Sequence, residues 1–328
     1  VTAQAQPDSR FIVVTGANGQ LGRALLARLA ARGETRVRAL VRSDRARRTI
    51  ESLDLDPAPE IHVVSYTDPG QMETALADAE AVIHLVGIIK ETPDTRYVEA
   101  HEQTCEALAI AAERAGVSRI VYLSILGSQT ASQNACLASK GRAEQRLLEG
   151  TVATTILRVP MVIGGDDAAS ASLRRQAQAK QLRLVGGGQS LQQPIDARDV
   201  VTAILAALRS HPGRPLVLDA GGPACLTHRD LVLKAADLYG NTPRLNSIPL
   251  GLARMGVRVV ERVLPNPPIS IAMFDILQHN DRVDPTAFCE ALGITLTPLE
   301  QTLADHVGPD RDAVASATPR GRDQGDPR

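Results

Sequence analysis

FIVVTGANGQLGRALLARLAARG, residues 11–33, runs an apolar segment, a glycine-rich turn and an Ala/Leu-rich amphipathic stretch together without a break. Phe11 to Thr15 predicts a buried strand, and the stretch after Gly19 predicts a helix laid against it. Gly16, Gly19 and Gly22 fall between and at the start of these elements, each with its own task. Gly16 permits the tight turn, Gly19 lets the backbone approach a ligand, and Gly22 lets helix and strand pack closely. Backbone amides and the helix amino terminus would then face a pyrophosphate, with Asn18, Gln20 and Leu21 completing the contact set. Three glycines alone mark a loop; strand, helix and a second strand within about thirty residues mark a dinucleotide site.

Outward from this unit, short apolar runs alternate with helical stretches. The runs are Phe11 to Thr15, Val37 to Val41, Ile61 to Val64, Ala81 to Val86, Arg119 to Leu123 and Thr154 to Leu157. Alternation of this kind predicts a parallel sheet with crossover helices, each strand buried on both faces. Gly33 and Gly116 follow two of the helices at positions that favour a left-handed residue. The fold class is therefore α/β, a doubly wound Rossmann sheet with helices on both faces and a smaller carboxyl-terminal α/β lobe. Residues 1–10 read as a flexible extension, 11–165 as the Rossmann domain, 166–306 as the smaller lobe with segments returning to the sheet, and 307–328 as a disordered tail. Within the lobe, Pro215 to Asp219 reads as a strand. Thr227 opens a helix with Asp230 three residues on, in the manner of a capping box.

Composition narrows the function classes. Aromatics make up only 2% of the chain against 44% apolar residues, which argues against nucleic-acid binding by base stacking. The 36 basic and 37 acidic side chains nearly cancel, leaving no whole-molecule field for nucleic acid or an anionic surface. Cys105, Cys136, Cys225 and Cys289 are scattered, so neither a disulfide framework nor a zinc site is expected. With no apolar signal core near the start and no long uncharged apolar run, the expected location is cytoplasmic.

The second strand reads VRALVRSD, and its end carries no carboxylate for a ribose 2′-hydroxyl. Val41 and Arg42 stand there instead, so a 2′-phosphate would meet a guanidinium; NADP(H) is preferred over NAD(H). Ser65 and Tyr66, after the third strand, are expected beside the adenine, and Gly87, after the fourth, allows close backbone approach. His84, inside a buried strand, reads as a hydrogen-bonded core histidine.

TGANGQLG, AVIHLVG, IVYLSILGS, CLASKGRAE and TILRVPMVIGGDD follow one another along the chain. In that order they resemble the extended and atypical short-chain dehydrogenase/reductases, from Phe11 to about Leu303. HLVGIIKE and LPNPPISIAMFDILQHNDRVD are similar to a branch that includes the nucleotide-binding accessory subunit of respiratory complex I. Members of that branch are linked to respiratory-complex assembly and quinone metabolism. The resemblance implies a catalytic Tyr four residues before a Lys, with a Ser upstream. Lys140 is in place as a ribose contact, but Cys136 occupies the Tyr position, and none of Tyr66, Tyr97, Tyr122 and Tyr239 has a Lys four residues later. A thiol beside Lys140 could ionise, yet it is shorter than a tyrosine, and a packed helix residue is the plainer reading of Cys136. Ser124 faces the cofactor by the resemblance; Leu126 stands where the family's serine usually lies, with Ser128 as a stand-in. Val159 replaces a usual Pro, followed by Pro160.

Two functions stay open: a nicotinamide-dependent oxidoreductase or epimerase on a small or lipid-like, quinone-type substrate, and a catalytically silent NADPH-binding accessory or assembly factor. PLGLARMGVRVVERVLP, residues 249–265, bears on the second. Its helical spacing puts Arg254, Arg258 and Arg262 on one face and Leu252, Val259, Val260 and Val263 on another. Either the apolar face closes the small lobe, or the helix meets a membrane surface or membrane-bound partner, which would make the protein peripheral.

Overall fold

The computed structural model describes residues 10–165, 167–209 and 215–309. Six strands come first: β1 (Phe11–Thr15), β2 (Val37–Val41), β3 (Glu60–Val63), β4 (Ala79–His84), β5 (Arg119–Ile125) and β6 (Ala153–Val159). Their connections hold α1 (Gln20–Ala30), α2 (Asp44–Glu51), α3 (Pro69–Ala75), α4 (Thr104–Arg114), entered through a π-helical turn at Val98–Gln103, and α5 (Ala135–Leu148). The small lobe begins with β7 (Val162–Ile163), α6 (Ala168–Gln178), β8 (Gln181–Val185), β9 (Leu191–Gln192) and β10 (Ile195–Asp196). Then follow α7 (Ala197–Arg209), β11 (Leu216–Asp219), β12 (Leu226–Thr227), α8 (His228–Asp237), β13 (Arg244–Ile248), α9 (Leu250–Val263), α10 (Ile271–Leu277), α11 (Thr286–Leu292) and α12 (Leu299–His306).

The main sheet runs β11-β6-β5-β4-β1-β2-β3, and every pairing in it is parallel. This is the doubly wound order with β11 added at one edge. Strands buried on both faces carry apolar residues on both, as in β2, where all five residues are buried. Its one charge, Arg38, is satisfied by Glu60 at 3.0 Å and by the Ala75 and Ala77 carbonyls, and it lies over the Phe11 ring. Leu25, Leu26 and Leu29 of α1 pack on one face with α7 and with Phe288 of α11. Each such side chain contributes roughly 1.5–3 kcal/mol by burial. On the other face Met72, Leu108 and Leu147 cover β4 and β5. The predicted strands all form, β1 and β2 with the expected ends and the others with ends displaced by up to two residues, β4 stopping at His84.

In the small lobe Leu173, Leu231, Val232 and Leu303 make a separate core. Thr227 caps α8 by accepting from the Asp230 amide at 3.1 Å, as its spacing predicts. Val307, placed at the start of the expected tail, is fully buried in this core, so the ordered lobe extends past residue 306. The remainder of that tail, 310–328, and residues 1–9 lie outside the described residues.

α9 departs from expectation. None of its residues is buried. Ala253, Val257 and Val260 are half-buried, whereas Leu252, Met255, Val259 and Val263 are 57–71% exposed. Of the apolar face drawn from the sequence only Val260 turns inward, with Ala253 and Val257, and Leu252, Val259 and Val263 are left outward beside the arginines. No helix among the described residues is long and apolar enough to cross a membrane.

Candidate active site

β1 and β4 lie side by side, but the chain leaves β1 toward β2 and leaves β4 toward β5. Their carboxyl ends therefore part, and a crevice opens where ligands of such sheets bind. Gly16 turns the chain there with φ +67°, and a Cβ on it would lie 3.1 Å from the Leu85 carbonyl carbon. A Cβ on Gly22 would stand 2.5–2.6 Å from the Ala17 and Gly16 carbonyl oxygens, so this position admits no side chain. Gly19 begins α1 without any side-chain cap, which leaves the first-turn amides of Gln20, Leu21 and Gly22 to an outside acceptor. Asn18 and Gly19 are exposed at the loop tip.

The loop is held from below by Tyr66. Its hydroxyl accepts from the Gly16 amide at 2.9 Å and donates to the Leu40 carbonyl at 2.6 Å. Burial pushes this phenol up to about 12, with the Gly16 hydrogen bond and the Arg42 charge opposing. Tyr66 thus sits under the glycine loop, and it also lines the cavity at the ends of β2 and β3. Gln20 secures the loop from the other side: its Nε2 donates to the Gly164 carbonyl at 3.0 Å and to Asp167 at 3.3 Å. Asp167 also caps α6 through Ser170 and takes the Gly164 amide. Burial raises this carboxyl, but the Ser170, Gly164 and Gln20 hydrogen bonds outweigh it and hold it below its ordinary range.

Two cavities extend from the loop. One, of about 440 Å³, opens between the ends of β2 and β3 and is lined by Arg42, Ser65, Thr67 and Gln71, with Asp94 and Glu99 across from them. Arg42 is exposed there, and the Ser65 amide is occupied by Gln71 at 2.9 Å. The other, of about 340 Å³, lies between the ends of β4, β5 and β6 and the small lobe. Leu21, Leu85, Leu126, Val159 and Met161 make most of its wall apolar. Its polar side chains are Ser124, Lys140, Gln192, His279 and Asp281.

Lys140 is buried, and its three N–H groups have three acceptors: Tyr122 Oη at 3.0 Å, Leu123 O at 3.2 Å and Val86 O at 3.4 Å. Desolvation lowers its pKa, with the Cys105, Cys136 and Glu144 groups opposing. Gly87 lies against this lysine: a Cβ there would stand 2.7 Å from Nζ, so a side chain would displace the end of Lys140. Ser124 donates to Glu144 Oε1 at 2.5 Å, and Ser128 lies behind it at 3.3 Å. Glu144 is itself buried and held by Arg158, which also reaches Asp219. Cys136, Lys140 and Glu144 follow at i, i+4, i+8 on the buried face of α5, a spacing that could have exposed Glu144 from sequence.

Cys136 is not in the cavity wall. Its Sγ faces the Ile88 carbonyl at 3.5 Å beside Tyr97, and burial pushes the thiol up to about 11 against the pull of Lys140 and Tyr97. Tyr97 in turn donates to the Ile89 carbonyl. His84 is fully buried, bonded to Thr15 at 2.7 Å, and burial together with the Lys140 charge lowers it to about 3. The structure therefore gathers Gly16 to Gly22, Arg42, Ser65, Gly87, Ser124 and Lys140 along one crevice and turns Cys136 away from it.

Residues 16–211 match a family described as NAD(P)H-binding. Among curated relatives, the chain is 30% identical over 250 residues to NADH dehydrogenase (ubiquinone) 1 alpha subcomplex subunit 9, mitochondrial, of Arabidopsis thaliana. The match covers 74% of this chain and 61% of the plant protein, so the chain spans about three fifths of that relative's length. It is 26% identical over 271 residues to the 4-hydroxy-2-methyl-3-oxo-4-farnesyl-3,4-dihydroquinoline-1-oxide ketoreductase of Stigmatella aurantiaca, covering 76% of this chain and 79% of that one. The solved structure of Citrobacter sp. triphenylmethane reductase shares the fold, with a TM-score of 0.71 at 18% identity over 90% of this chain and 99% of that chain.

Proposed function

Because the chain belongs to the NAD(P)H-binding family, as an atypical short-chain dehydrogenase/reductase resembling complex I accessory subunits, we propose that it takes NADPH in preference to NADH and reduces a quinone-type or other apolar carbonyl compound. The observation that carries this reading is the 340 Å³ cavity, whose wall is mostly apolar and includes Lys140 and Ser124 at the ends of β4 and β5. Such a wall suits a prenylated or alkylated ring better than a sugar nucleotide. The ketoreductase relative, whose substrate carries a farnesyl group, supports the same class. When bound, the cofactor supplies the hydride. The loop at Gly16 to Gly22 holds its phosphates, Arg42 meets a 2′-phosphate, and Lys140 fixes the wall against which the substrate lies.

Titration followed by NADPH and NADH fluorescence tests the cofactor, and a turnover screen with menadione and long-chain ketones tests the reaction. We expect Arg42→Ala to weaken NADPH by about tenfold and to leave NADH unchanged. Equal affinity for both cofactors in the native protein would remove the preference.

A second reading, a silent NADPH-binding accessory factor, is favoured by one observation: the outward apolar stripe of α9 beside Arg254, Arg258 and Arg262. Under it the helix lies on an anionic membrane surface or a membrane-bound partner. Tight NADPH binding with no turnover across the screen would favour this reading over the first.

A further inference from the structure

We infer that His279, oriented by Asp281, is the proton donor of the cavity and takes the place left by the missing tyrosine. The inference rests on the proposed carbonyl reduction. The other polar side chains in the described wall are engaged or, for the amide of Gln192, not acidic: Lys140 uses all three N–H groups on Tyr122, Leu123 and Val86. Ser124 gives its hydrogen to Glu144, and Gln192 Nε2 faces the Leu277 carbonyl at 3.4 Å. Cys136 is outside the wall altogether.

His279 is placed by the small lobe. The segment after α10 is stitched to β9, where the Leu191 amide donates to Asn280 Oδ1 at 2.8 Å and the Asp281 amide donates to Leu191 O at 3.1 Å. Asp281 Oδ1 lies 3.1 Å from His279 Nδ1. That contact holds the proton on Nδ1 in the neutral ring and turns Nε2 toward the sheet. Burial raises the Asp281 carboxyl, with the pairing to His279 opposing.

Just past the end of β5, Gly127 lies against the ring. Its φ is +81°, and a Cβ there would lie 3.4 Å from both Nε2 and Cε1 of His279. The charged groups of the cavity wall that can set the ring's protonation are Asp281, beside it, and Lys140, from α5. The His279 side chain is 44% exposed, so solvent can return a proton to it, whereas Asp281 is 15% exposed.

The step balances. The substrate's carbonyl carbon accepts the hydride of the reduced nicotinamide, and the carbonyl π pair moves to oxygen. That oxygen takes the proton from Nε2 of the His279 imidazolium. Alcohol, oxidised cofactor and neutral imidazole result, and water reprotonates the ring.

The test combines turnover with NMR titration of the His279 ring in the full chain, using NADP⁺ and menadione as probes. In the NMR arm, menadione added to the NADP⁺ complex is expected to shift the His279 ring resonances, because the ring donates to its oxygen. Asp281→Asn, which removes the carboxylate that orients the ring, is expected to lower kcat at least tenfold while NADPH affinity stays within twofold. His279→Gln is expected to lower kcat about a hundredfold or more while NADPH affinity stays within twofold. If menadione perturbs the Val159 and Leu126 methyls but leaves His279 unmoved, or if His279→Gln turns over as the native protein does, the assignment falls. A native protein that binds no NADPH overturns the functional reading first, and the assignment with it.

Discussion

Tyr66 is a single residue on which the phosphate loop depends. One hydroxyl satisfies the Gly16 amide and the Leu40 carbonyl, joining the turn after β1 to the end of β2. Tyr66→Phe keeps the ring volume and removes only these bonds. We expect it to cost about 1–3 kcal/mol in urea unfolding, since the Gly16 amide loses its partner. It should also weaken NADPH severalfold in the fluorescence titration. Unchanged stability would mean the hydroxyl does not hold the loop. Gly22 is less forgiving: Gly22→Ala drives a methyl into two carbonyl oxygens, and the measurement is loss of NADPH binding or of soluble folded protein.

Among elements, α5 and α9 show how one helix can serve two purposes. α5 buries Cys136, Lys140 and Glu144 on one face, so its charged groups are solvated by protein: Lys140 by oxygen acceptors, Glu144 by Ser124 and Arg158. Glu144→Gln leaves Arg158 short of a charge, and we expect a loss of roughly 3 kcal/mol in unfolding. α9 packs on α10, with the Arg254–Asp275 pair at 2.9 Å between them and Ala253, Val257 and Val260 half-buried. Its outer stripe contributes nothing to the fold, so Val259→Glu with Val263→Glu should leave the unfolding midpoint unchanged. The same double variant is expected to abolish sedimentation with phosphatidylserine vesicles. Vesicle binding that survives it would exclude the stripe as the contact.

At the scale of the whole molecule, buried titratable groups tie stability to pH. His84 and His101 are both lowered to about 3, chiefly by burial and then by the Lys140 charge. Each stays neutral in the fold and takes a proton on unfolding. Their stabilising effect is therefore complete above about pH 6.5 and declines as pH falls toward 3, by about 1.4 kcal/mol per pH unit per histidine. Asp196 adds a lower window. Burial raises it, but His306 and Arg198 hydrogen bonds outweigh this and hold it well below the carboxylate range, so its contribution is present above about pH 4 and lost below. Urea midpoints at pH 7.5, 6 and 5 should fall in that order. A flat series would contradict the neutral burial of both histidines.

The fold was legible because its signals are local. A strand, a turn of glycines and a helix are each written in a few neighbouring residues, and their repetition fixes a parallel sheet with a crevice at β1 and β4. The cofactor loop follows from the same local chemistry. What lies in the crevice is different in kind. Gln20 meets Asp167 across 147 residues, Tyr66 meets Gly16 across 50, and His279 reaches Gly127 from the other lobe. Sequence spacing places Cys136 four residues before Lys140, yet its thiol lies behind the Ile88 carbonyl, outside the cavity lining. The amphipathic pattern of α9 likewise named its apolar residues but could not tell which sector would find a partner. Periodicity determines what an element is. Only packing between distant segments decides which side chains share a cavity and which remain outside, because that depends on how the finished layers meet.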